Sequence, residues 1–200
     1  SLVLFWKEVK SILEENQAIN FEIIFVNDGS QDKSQEIINS IIADPSNSAY
    51  EFISIDFSKN FGHESAMIAG VDVASKDATI CIDSDLQHPP KLIPLMIEKY
   101  NEGSEIVTMV RTKRMDNGVF KNSTSKLFYR FLNSISDYNF DRNASDFFLI
   151  SSRVSSILKD NFRERNRFLR GYIQTIGFAK TSIEFEAPAR MEGETSYSFL

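Results

Sequence analysis

The sequence predicts an α/β domain with a mostly parallel central sheet, and three observations predict it. Short apolar runs alternate with stretches of helical periodicity from Phe21 to Val110, the pattern of repeated strand-helix units whose helices cover both faces of a sheet. Polar motifs stand directly after those runs, at the strand ends where such sheets bind their ligands. The chain has 200 residues, 42% hydrophobic and 25% charged, which is enough for one sizeable core and hence one soluble globular domain.

The opening residues Leu2, Phe5, Val9, Ile12 and Leu13 recur at the spacing of an amphipathic helix. No strand precedes that helix, although a crossover helix needs one to cross from, so the chain reads as a fragment of a longer protein with its first strand missing. Phe21 to Val26 is then a strand, Lys33 to Ile42 a helix, Tyr50 to Ile55 a strand and Glu64 to Ala74 a helix. Ala78 to Ile82 is a strand, Lys91 to Tyr100 a helix, and Ser104 to Val110 a strand that closes this half. After Arg111 the texture changes. Gly118 to Ser136 reads as helix, Ala144 to Ile150 as a short strand, and Val154 to Ile176 as two helices around Asn161 to Asn166. No repeat, low-complexity tract or strong linker splits the domain.

A formal charge of −6 argues against a nucleic-acid groove, so no nucleic-acid partner is expected. The single Cys81 lies in an apolar strand, where a buried structural thiol is the default, and no disulfide framework exists. Seventeen Phe fit a Phe-rich core and are also compatible with a membrane-facing or homo-oligomerising surface. No apolar stretch reaches the about 18 residues that span a bilayer. With only His63 and His88 as histidines, a zinc site is not expected.

The chemistry concentrates in Asp83-Ser84-Asp85-Leu86 with Gln87 beyond it, directly after the strand Ala78 to Ile82. Side chains alternate along a strand, so an extended segment here would place Asp83, Asp85 and Gln87 on one side as an all-oxygen cluster. Two carboxylates and an amide suit Mg²⁺ or Mn²⁺, leaving room for water and for the oxygens of a bound diphosphate. A bare Asp-x-Asp is also compatible with a solvated turn that caps a strand.

Two more strand ends carry polar groups. Asn27-Asp28-Gly29-Ser30 joins a strand to a helix, so its polar atoms can meet a nucleotide while Ser30 or Asp32 caps the helix. Asn60-Phe61-Gly62-His63 opens the next helix, where the amide of Gly62 favours phosphate or ribose oxygens. His63 itself is either a base, a sugar contact or a loop histidine held by a structural hydrogen bond. On the other side of the chain, Arg111 ends a strand and Lys113 and Arg114 follow, while Lys121 and Ser125 lie four apart on one helix face. Charge and hydroxyl in that mixture suit a second phosphate.

Taken in order, Phe25-Val26-Asn27-Asp28-Gly29-Ser30-Gln31-Asp32, Asn60-Phe61-Gly62-His63 and Ile82-Asp83-Ser84-Asp85-Leu86-Gln87-His88-Pro89-Pro90 resemble a family 2 glycosyltransferase of the nucleotide-sugar-binding, Rossmann-like GT-A fold. Asp146-Phe147-Phe148-Leu149, Arg170-Gly171 and Arg190-x-x-Gly193-Glu194 resemble, more narrowly, the polyisoprenyl-phosphate branch that works with dolichyl or undecaprenyl phosphate. The resemblance runs from about Phe21 to Leu200.

It implies a single catalytic domain over 1–200, with a nucleotide-sugar-binding half, 1–111, and an acceptor-side half, 112–200. The implied reaction moves a sugar from a nucleotide-diphosphate sugar to a polyisoprenyl phosphate, with inversion and a Mg²⁺ or Mn²⁺ cofactor. Asn27, Asp28, Asn60, Gly62 and Asp83 would face the donor; Asp83, Asp85 and Gln87 would hold the metal. Arg111, Lys121 and Ser125 would hold the acceptor phosphate, and Asp85, Arg111 and Asp146 would form the catalytic group. Arg190 would clamp the diphosphate. Asn27 stands where many relatives have Asp, Lys121 where Arg is usual, and Thr195-Ser196 where Ser-Lys is usual. The implied location is the cytoplasmic face of a membrane, with the anchoring segments beyond Leu200. Two other classes stay open: an enzyme of the same fold acting on a sugar or polysaccharide hydroxyl, with Asp146 as its base, and a non-catalytic nucleotide-sugar-binding protein.

Overall fold

The computed structural model describes residues 1–112, 144–162 and 168–186. Helix α1 (Leu2–Glu15) buries Phe5, Val9, Ile12 and Leu13 of the stripe its spacing predicts, with Trp6 beside them and Leu2 half-buried. It ends where the Asn16 side chain turns back to donate to the Ile12 carbonyl at 2.7 Å. Strands β1 (Glu22–Asn27) and β2 (Glu51–Asp56) pair in parallel, joined through α2 (Ser34–Ala43). Just before α2 the Asp32 carboxylate accepts from the Ser34 N–H at 2.9 Å, but Lys33 and not Ser30 or Asp32 holds the cap position, with no side-chain bond of its own. Helix α3 (His63–Val73), strand β3 (Ala78–Cys81), helix α4 (Ile93–Asn101) and strand β4 (Ile106–Arg111) follow. Then come β5 (Ala144–Ser151), α5 (Ser152–Asn161), α6 (Leu169–Thr175) and β6 (Lys180–Phe185).

The described strands form two sheets rather than one, and they are mixed rather than mostly parallel in their pairing. One sheet is β1-β2; the other has the order β3-β5-β4-β6. Strand β5 runs antiparallel to both β3 and β4, while β4 and β6 are parallel. The sequence pattern could not show this, because β5 enters late in the chain yet inserts between two strands that precede it. Its run Phe147, Phe148, Leu149 and Ile150 is at most 2% exposed, as a central strand covered on both faces requires. Strand β6 went unforeseen, although Thr181, Ile183 and Phe185 alternate with the more exposed Lys180, Ser182 and Glu184.

Three apolar clusters follow from these layers. Trp6 meets Phe25 and Phe52 edge-on, with ring centroids 6.0 and 5.6 Å away, and so binds α1 to the first sheet. Phe147 and Leu149 face one side of the second sheet with Met96, Met109 and Phe185, and Ile12 of α1 joins them there. Helix α1 thus packs into the cores of both sheets. Phe148 and Ile150 face the opposite side, against α3, α5 and α6. Phe5, Phe25, Phe147, Phe148 and Phe185 are core residues, while Phe61 and Phe168 stay exposed. The Cys81 thiol packs into the third cluster, and burial pushes its pKa up to about 12, the inert state expected of it.

Between the Thr108 and Val110 pairs the β4-β5 register shifts: Thr108 faces Phe148, but Val110 faces Ala144. Strand β5 therefore bulges over Ser145, Asp146 and Phe147. The Ser145 hydroxyl donates to the Met109 carbonyl at 2.8 Å and closes the gap. Asp146 and Phe147 lie in this bulge and meet different neighbours.

Candidate active site

The polar residues lie at the C-terminal ends of β1, β3 and β4 and at the bulge of β5. The first loop pair is backbone against backbone. Gly29 has φ +66°, and a Cβ there would lie 2.2 Å from the Lys59 carbonyl carbon and 2.6 Å from the Asn60 nitrogen. The Asp28 carboxylate clamps the same approach, accepting from the Phe61 N–H at 2.7 Å and from the Gly62 N–H at 3.0 Å. This corrects the expectation that the Gly62 amide stands open for a ligand oxygen, since Asp28 occupies it. Asn27 is 5% exposed. Its amide donates to Asp56 Oδ1 at 2.9 Å and Gln35 Oε1 at 3.1 Å, and its oxygen accepts from the Ser30 N–H at 3.1 Å. Asn27 and Asp28 hold this loop pair together from within.

Beyond β3 the chain turns at once instead of staying extended. Ser84 and Asp85 form a turn, Leu86 has φ +64°, and Asp85 Oδ1 accepts from the Gln87 N–H at 3.0 Å. The strand alternation expected to align Asp83, Asp85 and Gln87 is therefore absent, and a tight acidic turn brings the two carboxylates near each other instead. Among the described residues no three His, Cys, Asp or Glu side chains form a ready metal cage. Burial raises the Asp83 carboxyl, and the Asp85 and Asp146 charges raise it further against the pull of His63 and Arg111. An excess of negative charge in a half-buried place is an environment that a divalent cation relieves.

His88 connects this turn to β4. The ring is 1% exposed, stacks on Phe147 with centroids 5.3 Å apart, and meets Phe185 edge-on. Its Nε2 lies 3.0 Å from Arg111 Nη2, and its Nδ1 lies 3.4 Å from Asp83 Oδ2 and 3.2 Å from the Asp83 nitrogen. The Arg111 guanidinium and the Asp83 backbone N–H both donate, so each ring nitrogen faces a donor, and Nδ1 also lies beside the Asp83 carboxylate. Burial, aided by the Arg111 charge, lowers the His88 pKa to about 4 and keeps the ring neutral.

On the other side of the bulge, Arg170 grips Asp146 with two nitrogens: Nε donates to Oδ1 at 2.9 Å and Nη2 to Oδ2. His63 Nε2 stands between two carboxylates, 3.4 Å from Asp146 Oδ2 and 3.6 Å from Asp83 Oδ1. Burial would raise the Asp146 carboxyl, but the hydrogen bonds from His63 and Arg170 hold it well below the usual carboxylate range. The Asp146 bond in turn raises His63. Glu64, raised by burial, accepts from the Leu169 N–H at 3.0 Å and so ties the start of α6 to α3.

The structure thus brings Asp83, Arg111 and Asp146 together through His63 and His88, with Asp85 beside Asp83, and keeps Asn27, Asp28, Asn60 and Gly62 on a separate loop pair. Lys113, Arg114, Lys121, Ser125, the helix over 118–136, Arg190 and the Gly193-Glu194 segment lie outside the described residues. The linking role of His88 and the tether of Glu64 went unread in the sequence. For His88 a signal existed, since Leu86, Pro89 and Pro90 around it are apolar.

Comparison with known proteins gives the class. The profile described as "Glycosyl transferase family 2" matches residues 6–158, and the chain belongs to that family. It is 40% identical over 193 residues to the "Uncharacterized glycosyltransferase YkcC" of Bacillus subtilis, covering 96% of this chain and 58% of that protein. It is 36% identical over 199 residues to the "Prophage bactoprenol glucosyl transferase homolog" of Escherichia coli, covering 99% of this chain and 63% of that protein. The chain therefore spans about three-fifths of the length of these relatives. Among solved structures, a 4-diphosphocytidyl-2C-methyl-D-erythritol synthase of Anaerococcus prevotii superposes with TM-score 0.58 at 8% identity, covering 98% of this chain and 83% of that one. That likeness supports the mixed α/β, Rossmann-like fold.

Proposed function

We propose that this chain is the catalytic domain of an enzyme that transfers a hexose from a nucleotide-diphosphate sugar to a polyisoprenyl phosphate. The observation that carries the choice of acceptor is the state of Asp146. A carboxylate held strongly ionised by Arg170 and His63 is a weak base, poorly suited to take a proton from a sugar hydroxyl. A phosphate monoester, with a second pKa near about 6, is already largely ionised at neutral pH and needs no base. Relatives named bactoprenol glucosyl transferase, 35–36% identical over 199 residues, support the same reading.

In this reading Asp83 and Asp85, with Gln87 as a third oxygen, would hold Mg²⁺ or Mn²⁺; the acidic turn fits a hard cation. When bound, the ion supplies charge neutralisation for the leaving diphosphate. Arg111, with Lys121 and Ser125, orients the acceptor phosphate. One of its oxygens attacks the anomeric carbon from the face opposite the diphosphate; the new C–O bond forms as the old one breaks, and the configuration inverts. Arg190 would close on the departing diphosphate. The loop pair carrying Asn27, Asp28, Asn60 and Gly62 shapes the nucleoside end of the groove. Residues 1–111 form the donor half and 112–200 the acceptor half of one domain. A lipid acceptor puts the full-length enzyme at the cytoplasmic face of a membrane. No helix among the described residues is long and apolar enough to cross one.

The test supplies the full-length enzyme with polyprenyl phosphate and a panel of nucleotide sugars, and reads the lipid product by mass spectrometry. Arg111→Ala should raise the acceptor KM or lower kcat while leaving nucleotide binding near wild type. Sugar appearing only on hydroxyl acceptors, with Arg111→Ala kinetically silent, would overturn the proposal.

A further inference from the structure

We propose that Glu64 is a positioning residue that acts through Arg170: by accepting the Leu169 N–H it anchors the start of α6 to α3 and holds the Arg170 guanidinium where two of its nitrogens reach Asp146. Its effect on turnover rests on the reading above, in which the ionised Asp146 belongs to the site.

Leu169 opens α6 and is 3% exposed, so little water can reach its N–H, which needs a partner within the protein. Phe168, at the cap position, carries no side-chain acceptor and makes no cap bond. The acceptor comes from far along the chain. The Glu64 carboxylate, 105 residues away, receives this N–H at 3.0 Å. Leu169 and Ile173 also pack α6 into the cluster that holds Val71 of α3. Apolar contact is non-directional, and the Glu64 bond adds the direction.

Two consecutive residues on each helix thereby close a circuit around Asp146. On α6, Leu169 carries the anchored N–H, and Arg170, next in the chain, donates Nε to Asp146 Oδ1 at 2.9 Å and Nη2 to Oδ2. On α3, Glu64 is the acceptor, and His63, the residue before it, lies 3.4 Å from the same Oδ2. A two-pronged grip needs the guanidinium aligned with the carboxylate, so it tolerates little movement of the backbone that carries it. The anchor sits one residue from that backbone. His63 also lies 3.6 Å from Asp83, so a displaced Asp146 disturbs the acidic corner as well.

The position needs reach rather than charge. Burial raises the Glu64 carboxyl and the Asp146 charge raises it further, against the Leu169 N–H, Arg170 and His63. An uncharged oxygen at the same distance would anchor α6 equally, whereas a carboxylate on a shorter side chain would fall short of the N–H.

The experiment compares two variants of the full-length enzyme. Glu64→Gln keeps an acceptor oxygen at the same length and should turn over within about twofold of wild type. Glu64→Asp keeps the charge but loses one methylene of reach. It should lower kcat by about tenfold or more, with the KM values of nucleotide sugar and acceptor within about twofold of wild type. In an Arg170→Ala background, Glu64→Asp should lower kcat no further, because its effect runs through Arg170. Multiplicative losses, a Glu64→Gln enzyme as poor as Glu64→Asp, or variants whose only defect is a lower thermal midpoint would overturn the proposal.

Arginine-selective ¹⁵N NMR reads the anchor without kinetics. The Arg170 Nε–H, assigned by its absence in Arg170→Lys, should exchange slowly with water in wild type and Glu64→Gln and faster in Glu64→Asp. Equal exchange in all three overturns the proposal. If Glu64→Asp does not fold, Glu64→Gln decides: wild-type exchange upholds reach over charge, and faster exchange refutes it. If the wild-type enzyme fails to glycosylate polyprenyl phosphate, the proposed acceptor is wrong, while the exchange rates still decide whether Glu64 holds Arg170.

Discussion

Replacing Asp83 by Asn should separate activity from stability, because the structure places opposite demands on this carboxylate. Its side chain is 32% exposed and has Asp85 and Asp146 as charged neighbours. A carboxyl whose pKa is raised in the fold binds its proton more tightly folded than unfolded. Its contribution to stability is present at low pH and is lost as pH rises through the raised value. At neutral pH the Asp83 charge therefore works against the folded state, and Asn, of nearly the same shape, should leave the metal-free protein as stable as wild type or more so. Transfer responds the other way. Two unit charges at about 4 Å in an effective dielectric of about 20 interact by about 4 kcal/mol. Partial exposure brings the expected loss to about 2–3 kcal/mol, on the order of 100-fold in turnover.

The two halves are read on one full-length preparation. Turnover is measured with saturating donor and acceptor, and thermal midpoints are taken with and without Mn²⁺ plus nucleoside diphosphate. Ligand at about 100 times its Kd stabilises wild type by about 2.7 kcal/mol, roughly 5–10 °C for a domain of this size. The variant should show little of that shift. An Asp83→Asn enzyme that keeps more than about a tenth of wild-type turnover, a loss under about 1.4 kcal/mol, would refute the metal assignment. A large fall in its metal-free midpoint would refute the electrostatic account of the site.

Three further outcomes are expected. Gly29→Ala combines a left-handed φ with a Cβ 2.2 Å from the Lys59 carbonyl carbon, so it should destabilise by about 2 kcal/mol or more in a denaturant titration and weaken donor binding by separating the loop pair. Asp146→Asn removes the partner of Arg170 in a half-buried pair; it should lower the thermal midpoint, and an unchanged midpoint would show that the pair is not structural. In the metal-free protein, His63 contributes stability that is fully present below the ordinary histidine pKa of 6.5 and is lost as pH rises through its raised value. Asp146 contributes stability that is present above the ordinary value of 3.8 and is lost as pH falls towards its depressed one. His63→Gln should abolish the decline on the alkaline side, measured as midpoint against pH, and leave most of the acid-side decline through Arg170.

The strand-helix alternation of the first half was legible because each element carries its own period. Phe21 to Val26 became β1, and the amphipathic stripe from Leu2 to Leu13 became α1, within the usual drift of element ends. Sheet order was not legible, since nothing local in Ser145-Asp146-Phe147-Phe148 states that the strand will insert antiparallel between β3 and β4. That placement is decided by burial on two faces at once, which is a property of the assembled layers.

The site divides along the same line. Asp83, Asp85 and Arg111 could be picked out because they follow apolar runs at the strand ends where such sheets bind ligands, and Asp146 through the motif Asp146-Phe147-Phe148-Leu149 that resembles the polyisoprenyl-phosphate branch. Their geometry could not, because it depends on two events that sequence spacing hides. The left-handed Leu86 breaks the alternation expected of Asp83 and Gln87, and the β5 register shifts where Asp146 meets His63 and Arg170 and Phe147 stacks under His88. Both departures serve the same end. The turn places two carboxylates near each other in one acidic corner, and adjacent residues of β5 brace two different sides of that corner. The irregular backbone is thus where the function would be built, and the regular elements around it supply the rigidity that keeps the charged groups in place.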